Sequence, residues 1–175
     1  MNRRNAIVTL SGVLATSALL IAPRGPAFAQ TKGATLGQGQ YKAKTLMAGT
    51  FSKQTSQMAI SQATHPKVQE FAQFEAAEQT TIAQALTNLN NPPPAPLDAQ
   101  HAAMLKQLQA QSGKAFDAAY VQGQITGHQE LLTIQQSYLN AAPIDRDYKH
   151  VAMLSRTVIQ MHLTMLQDLQ NTLNA

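Results

Sequence analysis

The longest uninterrupted pattern in the chain covers residues 116–138 and is typical of a helix with a buried face. Its apolar residues recur at three- and four-residue intervals, which places them on one side of a helix. Ala119, Gly123 and Gly127 add a ridge of small residues four positions apart. Because a glycine inside a helix costs about 1 kcal/mol relative to alanine, this ridge predicts that a neighbouring helix packs closely against it.

Similar patterns predict three more long helices and one short helix. We predict helices over residues 41–64, 66–89 and 99–111, then the helix that ends near residue 140, and a last helix capped by Asp145. No segment alternates with period two, as a half-buried strand would. The last helix is predicted to bury Tyr148, Val151, Leu154, Val158, Met161, Met165, Leu169 and Leu173. These elements predict an all-α fold, a four-helix bundle with one extra short helix.

The first 29 residues have the organisation of a secretory signal peptide. Arg3 and Arg4 supply a positive start, residues 6–22 are mostly apolar, and Ala27-Phe28-Ala29 forms a small-x-small cleavage site. The alternative is a membrane anchor, which is disfavoured because the apolar stretch is short and contains several polar residues. We therefore expect a periplasmic or exported protein that is cleaved after Ala29.

Removal of the signal peptide changes what the composition implies. The full chain has a net charge of +4, but cleavage removes three arginines and no acidic residue, which leaves ten basic and nine acidic side chains. A net charge of about +1 gives no basic patch for nucleic acid, and the absence of cysteine excludes disulfides. The remaining chain is predicted to comprise a flexible leader, residues 30–40, and one helix-bundle domain, residues 41–175, without a stable membrane span.

Polar residues on the predicted buried faces need a chemical explanation. A buried carboxylate or imidazole must be paired, hydrogen-bonded or bound to a metal, so these residues form either a polar network that fixes helix register or a metal site. Di-metal centres in bundles use Glu-x-x-His motifs. In this chain the residues three positions before His128 and His162 are isoleucines, Ile125 and Ile159, so we expect one ion at most. The metal candidates are Glu75, Glu78, His128 and His162, and the other polar residues on these faces are Gln54, Gln79, Asp117 and Gln124.

Other chemistry is not indicated. The chain has no cysteine nucleophile, Gly-x-Ser-x-Gly turn, phosphate loop or dinucleotide fingerprint, and His65, His101 and His150 lie near turns or helix starts, where we expect them to be solvated. The favoured hypothesis is a non-enzymatic, envelope-associated module without a cofactor that binds an envelope partner or a small molecule. The alternative is a metal-binding or oxidase protein with a reduced ligand set.

Three segments carry a family resemblance: residues 65–72 leading to Glu78-Gln79-Thr80, residues 116–120 continued through His128, and residues 161–163. They resemble a bacterial exported family, the domain of unknown function 4142, often described as a predicted outer membrane protein. The resemblance implies a ferritin-like four-helix bundle, an exported location and no established activity. The family usually has Asp-His-Thr where this chain has Glu78-Gln79-Thr80, an acidic residue near Ser52 or Gln54, and an apolar residue at the position of Glu75. A family metal site would therefore lack two ligands here, which argues against an oxidase role.

Overall fold

The computed structural model describes residues 35–142 and 144–175, and every regular element in these ranges is an α-helix. The five helices are α1 (Gln38–Gln62), α2 (Pro66–Thr87), α3 (Ala99–Gln109), α4 (Gly113–Leu139) and α5 (Arg146–Leu173). The predicted all-α class is thereby confirmed. The predicted signal peptide lies outside the described residues. None of the helices described combines the length and hydropathy required to cross a bilayer.

The helices begin where local signals favour a start. Pro66 occupies the first position of α2, where its missing N–H costs nothing. Asp98 and Asp145 cap α3 and α5 by accepting hydrogen bonds from the first free backbone N–H groups. α1 begins at Gln38 instead of residue 41, because Gly37 is already the extended residue before the helix. The end of the predicted leader is therefore helical.

The four long helices form a bundle in which neighbours around the ring are antiparallel. α1 packs against α2 and α4, while α5 packs against α4 and, less extensively, against α2. The start of α1 lies beside the end of α4, where Tyr41 donates to Gln135, and its end lies beside the start of α4, where Thr64 donates to Asp117. Since α2 and α4 are each antiparallel to α1, they run in the same direction. Residues 88–112, which include α3, return the chain along the length of the bundle.

The apolar core consists of two parts with a polar layer between them. Full burial of each large side chain contributes about 1.5–3 kcal/mol, so the two apolar parts carry most of the stability of the bundle. One part contains Val68, Phe71, Phe116, Tyr120 and Leu166. The other contains Tyr41, Leu86, Leu131, Tyr138 and Ile159. On each long helix, the polar residues of the middle layer come between these two sets.

The face predicted for α5 overlaps only in part with the face that the bundle buries, so the prediction is right for Leu169 and wrong for Leu154 and Met161. Leu154 and Met161 are 71% and 53% exposed. The buried side includes the small residues Ala152 and Ser155 and the polar residue His162, so a search for apolar spacing selects a neighbouring stripe. The residues that α5 does bury are Ala152, Ser155, Ile159, His162, Leu166 and Leu169.

Candidate metal centre

A polar cluster lies in the middle layer of the bundle and takes side chains from all four long helices. Its centre is formed by Glu75 of α2, His128 of α4 and His162 of α5, which are 0%, 0% and 5% exposed. Ser52 of α1 and Gln124 of α4 complete the cluster on the side towards α1. Because a charge in such a place loses its hydration, each ionisable group here requires a partner.

The three central side chains bring three donor atoms into a nearly equilateral triangle. Glu75 Oε2 lies 3.3 Å from His128 Nε2 and 3.0 Å from His162 Nδ1. The two ring nitrogens are 3.2 Å apart. Although both nitrogens are close to Oε2, this oxygen is buried and accepts no hydrogen bond from the described residues. An unsatisfied buried acceptor costs about 1–3 kcal/mol, and more when it is charged, so the triangle calls for a cation or a shared proton.

The other carboxylate oxygen of Glu75 is held firmly by neutral donors. Gln79 donates to Oε1 from its amide nitrogen at 2.9 Å. The Ser52 hydroxyl lies 2.6 Å from the same oxygen and 2.7 Å from Gln124 Oε1, and its single proton can serve one of them at a time. These contacts fix the carboxylate plane and leave Oε2 directed at the two imidazoles.

In each histidine, the ring nitrogen that points away from the triangle, here called the outer nitrogen, faces an acceptor. His128 Nδ1 is 2.8 Å from the backbone carbonyl of Gln124; because a carbonyl only accepts, Nδ1 carries hydrogen and the neutral ring has its lone pair on Nε2. His162 Nε2 lies 3.5 Å from a Glu78 carboxylate oxygen, which favours the lone pair on Nδ1. Metal-binding histidines are commonly oriented in this way by a carbonyl or a carboxylate on the outer nitrogen.

The charges of the cluster shift the pKa values of its members in opposite directions. Burial acts to raise the pKa of Glu75, but His128 and the surrounding hydrogen bonds hold it below its ordinary value. Burial acts to lower the pKa of His128, yet the Glu75 carboxylate raises it overall. The pKa of Glu78 is raised, first by burial and then by the negative charge of Glu75. Without a metal ion, the centre therefore favours an ionised Glu75 beside a protonated imidazole.

The spacing of the three donor atoms fits a transition-metal ion. Zinc binds imidazole nitrogen and carboxylate oxygen at about 2.1 Å, so two such ligands are about 3.0 Å apart at a right angle and about 3.4 Å apart at the tetrahedral angle. The observed separations of 3.0, 3.2 and 3.3 Å lie in this range, and the three side chains form a geometrically possible metal-binding group. Two imidazoles and one carboxylate suit Zn²⁺ and non-haem Fe²⁺.

The structure brings the four predicted metal candidates together, although in two roles. Glu75, His128 and His162 supply the inner atoms, whereas Glu78 contacts the outer nitrogen of His162 and can orient that ring. Gln79 and Gln124, as described above, support Glu75.

The remaining polar residues predicted on buried faces lie elsewhere. Asp117 is fully buried at one end of the bundle, where it accepts hydrogen bonds from the backbone N–H groups of Thr64 and His65 and from the Thr64 hydroxyl. It therefore stabilises the turn between α1 and α2. Gln54 is only half-buried and lines a groove beside the proline-rich connector.

Sequence reasoning missed Ser52 and misplaced His101. On α1, hydroxyl-bearing residues at helical spacing form much of the buried face, and that spacing was the signal available for Ser52. His101 was expected to be solvated, but it is 2% exposed, with Nδ1 2.7 Å from Asp98 and Nε2 3.1 Å from Glu130. Its ring meets Phe51 edge-on. The expectation is wrong because α3 packs across α1 and α4, which the position of His101 near a helix start does not reveal.

Comparison with known proteins establishes the family of the chain. A family model described as "Domain of unknown function (DUF4142)" matches residues 24–169. No curated protein and no solved structure matches the chain. The matched region contains all five side chains of the polar cluster and the three segments on which the resemblance was based, so that resemblance is confirmed. The chain belongs to the DUF4142 family.

Proposed function

We propose that this protein is an exported helix-bundle protein that binds one divalent transition-metal ion through Glu75, His128 and His162. The supporting observation is the buried triangle of donor atoms, in which a carboxylate oxygen accepts no hydrogen bond from the described residues. The surrounding groups satisfy the outer atoms of Glu75 and His128, and the Glu78 carboxylate lies 3.5 Å from the outer nitrogen of His162. A cation at the centre would satisfy all three inner atoms at once.

The rival explanation is a structural network closed by one proton between the two imidazoles. The 3.2 Å separation of His128 Nε2 and His162 Nδ1 allows an N–H···N hydrogen bond. That bond accounts for both ring nitrogens, and the charge of a protonated imidazole compensates the Glu75 carboxylate, but Oε2 itself accepts no hydrogen bond from the described residues. The metal hypothesis explains the third atom as well, and for this reason we favour it.

The path of the chain supports a ferritin-like form of the bundle. α2 and α4 run in the same direction and are joined by one long crossover that contains α3, and one long crossover distinguishes ferritin-like bundles from simple up-and-down bundles. Such bundles build metal sites in the core from facing helices. This chain offers three donor atoms instead of the paired glutamates and Glu-x-x-His motifs, so we propose metal binding without a di-metal oxidase reaction.

We place the protein outside the cytoplasm because residues 1–29 carry a positive start, an apolar stretch and a small-x-small site. Mass spectrometry of the protein recovered from the periplasm of a bacterial host is expected to show an N-terminus at Gln30. Recovery of the intact chain in the membrane fraction would instead indicate an anchor.

Calorimetric titration of the metal-free protein with Zn²⁺ tests the proposed site. We expect one ion per chain with sub-micromolar affinity, and a loss of at least about a hundredfold in affinity for His128→Ala and for His162→Ala, because each removes a ligand. His150→Ala is the matched control, since His150 is an exposed histidine on the same helix as His162. If all three variants bind Zn²⁺ alike, the metal centre is wrong. Circular dichroism confirms that each variant is folded before it is titrated.

A further inference from the structure

A second polar pocket lies between α1, α2 and the proline-rich connector that follows α2. Its volume is about 220 Å³. The connector is held over the two helices by a 3.0 Å hydrogen bond from the Ala95 backbone N–H to the Thr50 hydroxyl oxygen. Prolines 92–94 line the pocket, and because proline has no N–H they offer only carbonyls and apolar rings. On the connector side the only side-chain donor among the described residues that line the pocket is therefore Asn91, and the other donors for a ligand come from α1 and α2.

The floor of the pocket contains the amide oxygen of Gln79, which accepts no hydrogen bond from the described residues. Gln79 is 3% exposed, and its amide nitrogen donates to Glu75. Its Oε1 accepts no hydrogen bond from the residues that the structure describes and lies against Gly49, where an added Cβ would be only 2.6 Å away. The absence of a side chain at Gly49 makes room for this oxygen at the pocket floor. Because this oxygen is open to the pocket and unused by the protein, it can accept a hydrogen bond from a bound molecule.

The wall of the pocket supplies a positive charge and a hydroxyl donor, in contrast to the acceptor at the floor. Lys53 is half-buried there, is the one charged residue among those that line it, and makes no ion pair with a described carboxylate. The Thr50 oxygen accepts from Ala95, so its own proton is free to be donated. An anionic group would therefore bind at Lys53 and Thr50, while a neighbouring donor reaches the Gln79 oxygen.

We infer that this pocket binds a small carboxylate that carries a hydroxyl or amino group next to its acid group. The carboxylate pairs with Lys53, the hydroxyl or amino group donates to Gln79, and Leu46 and Ile82 contact the carbon atoms. Since a water molecule takes up about 30 Å³ of liquid, the pocket suits a ligand of roughly five to eight non-hydrogen atoms. The inference does not depend on the metal centre, because the pocket contains none of its three donor atoms.

Nuclear magnetic resonance titration of the ¹⁵N-labelled protein tests this inference with L-lactate, L-alanine and propionate, the last of which lacks the extra donor. We expect saturable shifts of the Gly49 backbone amide and the Gln79 side-chain amide with lactate or alanine. Propionate should bind at least about fivefold more weakly, as expected for one lost hydrogen bond. Equal binding of propionate and of both donor-bearing acids would overturn the assignment, as would the absence of saturation at about 50 mM ligand, an affinity too weak for a built site.

Lys53→Met keeps the length of the side chain and removes its charge. We expect it to weaken lactate or alanine binding at least about tenfold, while Lys44→Met, an exposed lysine on the same helix, leaves binding unchanged. Unchanged binding by Lys53→Met would contradict the assignment of the anionic end. Zn²⁺ affinity should be the same in Lys53→Met and wild type, so failure of the pocket and failure of the metal centre give different results.

Discussion

The substitution Glu75→Gln separates a metal ligand from a structural carboxylate. The amide oxygen of glutamine can still accept from Ser52 and Gln79, which lie 2.6 and 2.9 Å from Glu75 Oε1. The amide nitrogen then takes the place of Oε2, which faces His128 Nε2 at 3.3 Å and His162 Nδ1 at 3.0 Å. Because the two ring nitrogens are only 3.2 Å apart, one of its N–H groups can donate to their lone pairs while the other points away. In the metal-free protein the variant therefore supplies a neutral donor to the triangle in place of a charge.

The expected change in the free energy of unfolding depends on which groups each substitution leaves without a partner. Exchange of a buried charge pair for neutral groups of the same shape is close to neutral, so Glu75→Gln should change the free energy of unfolding by no more than about 1 kcal/mol. Glu75→Ala removes the acceptor of two donors and the counter-charge of His128, and truncation of one partner of a buried pair costs about 3–5 kcal/mol. At roughly 4 °C per kcal/mol for a domain of this size, the alanine variant melts about 12–20 °C below wild type.

The pH dependence of stability gives an independent measure of the same contacts. The pKa of His128 is raised above 6.5 in the folded protein, so its stabilising contribution is present below pH 6.5 and is lost as pH rises through the folded pKa. The pKa of Glu75 is lowered below 4.5, so its contribution is present above pH 4.5 and is lost as pH falls through the folded pKa. The raised pKa of Glu78 adds to the loss on the alkaline side.

Thermal unfolding with a chelator present, followed by circular dichroism between pH 3 and 9, measures both effects. Wild type should be most stable at mildly acidic pH, and Glu75→Gln should flatten the curve on both sides. Zn²⁺ binding should be lost in Glu75→Gln and retained in Glu70→Gln, which changes an exposed glutamate of α2. If the free energy of unfolding of the glutamine variant falls by more than about 3 kcal/mol, or if the variant binds Zn²⁺ as wild type does, the assignment of Glu75 Oε2, His128 Nε2 and His162 Nδ1 as three acceptors that face one another is refuted.

Three further substitutions test the packing around the cluster and at its ends. Gly49→Ala places a Cβ 2.6 Å from the Gln79 oxygen and should lower the free energy of unfolding in urea by about 1–2 kcal/mol, because the cost of overpacking exceeds the helix propensity gained with alanine; a rise in the midpoint, which propensity alone predicts, would show that this oxygen is free to move. Asp117→Ala removes the acceptor for the turn between α1 and α2 and should cost about 2–4 kcal/mol in the same assay; a cost below about 1 kcal/mol contradicts that role. His101→Ala removes the contact of α3 with Glu130 of α4 and the contact of the ring with the capping Asp98, so hydrogen exchange in α3 should become at least about tenfold faster while exchange in α5 is unchanged.

The helices could be predicted from sequence because their signals are local. Pro66, Asp98 and Asp145 act on residues within one turn of themselves, and the structure places helix starts at all three. The candidate site could be predicted in part for a related reason: Glu75 and His128 interrupt otherwise apolar helical faces, which is improbable for a buried surface without a partner. Spacing along each helix was enough to identify both.

The buried face of α5 and the burial of His101 could not be predicted, because both depend on contacts between distant segments. Met161 and His162 are adjacent on α5, and Met161 was assigned to the predicted buried stripe, but only the histidine is turned into the bundle. The buried face of α5 is set by its packing against α4 and α2, and the apolar spacing within α5 does not record it. His101 was misjudged for the same reason, since its burial is produced by Phe51 and Glu130 on other helices.

The position of the polar layer in the core indicates that its residues bind a ligand more than that they stabilise the fold. It separates two apolar parts of the core, and the helices that cross it supply Ser52, Glu75, His128 and His162. Aliphatic residues of similar volume at such positions would be as stabilising or more so, because they avoid the desolvation of buried charges. A bound metal ion reverses this balance, since it stabilises only the folded state and does so by RT ln(1 + [L]/Kd), about 2.7 kcal/mol at a hundredfold excess over Kd. We therefore expect the melting temperature to rise with Zn²⁺ concentration in wild type and to stay constant in His162→Ala, and a rise of equal size in both would remove the reason for placing the ion at this layer.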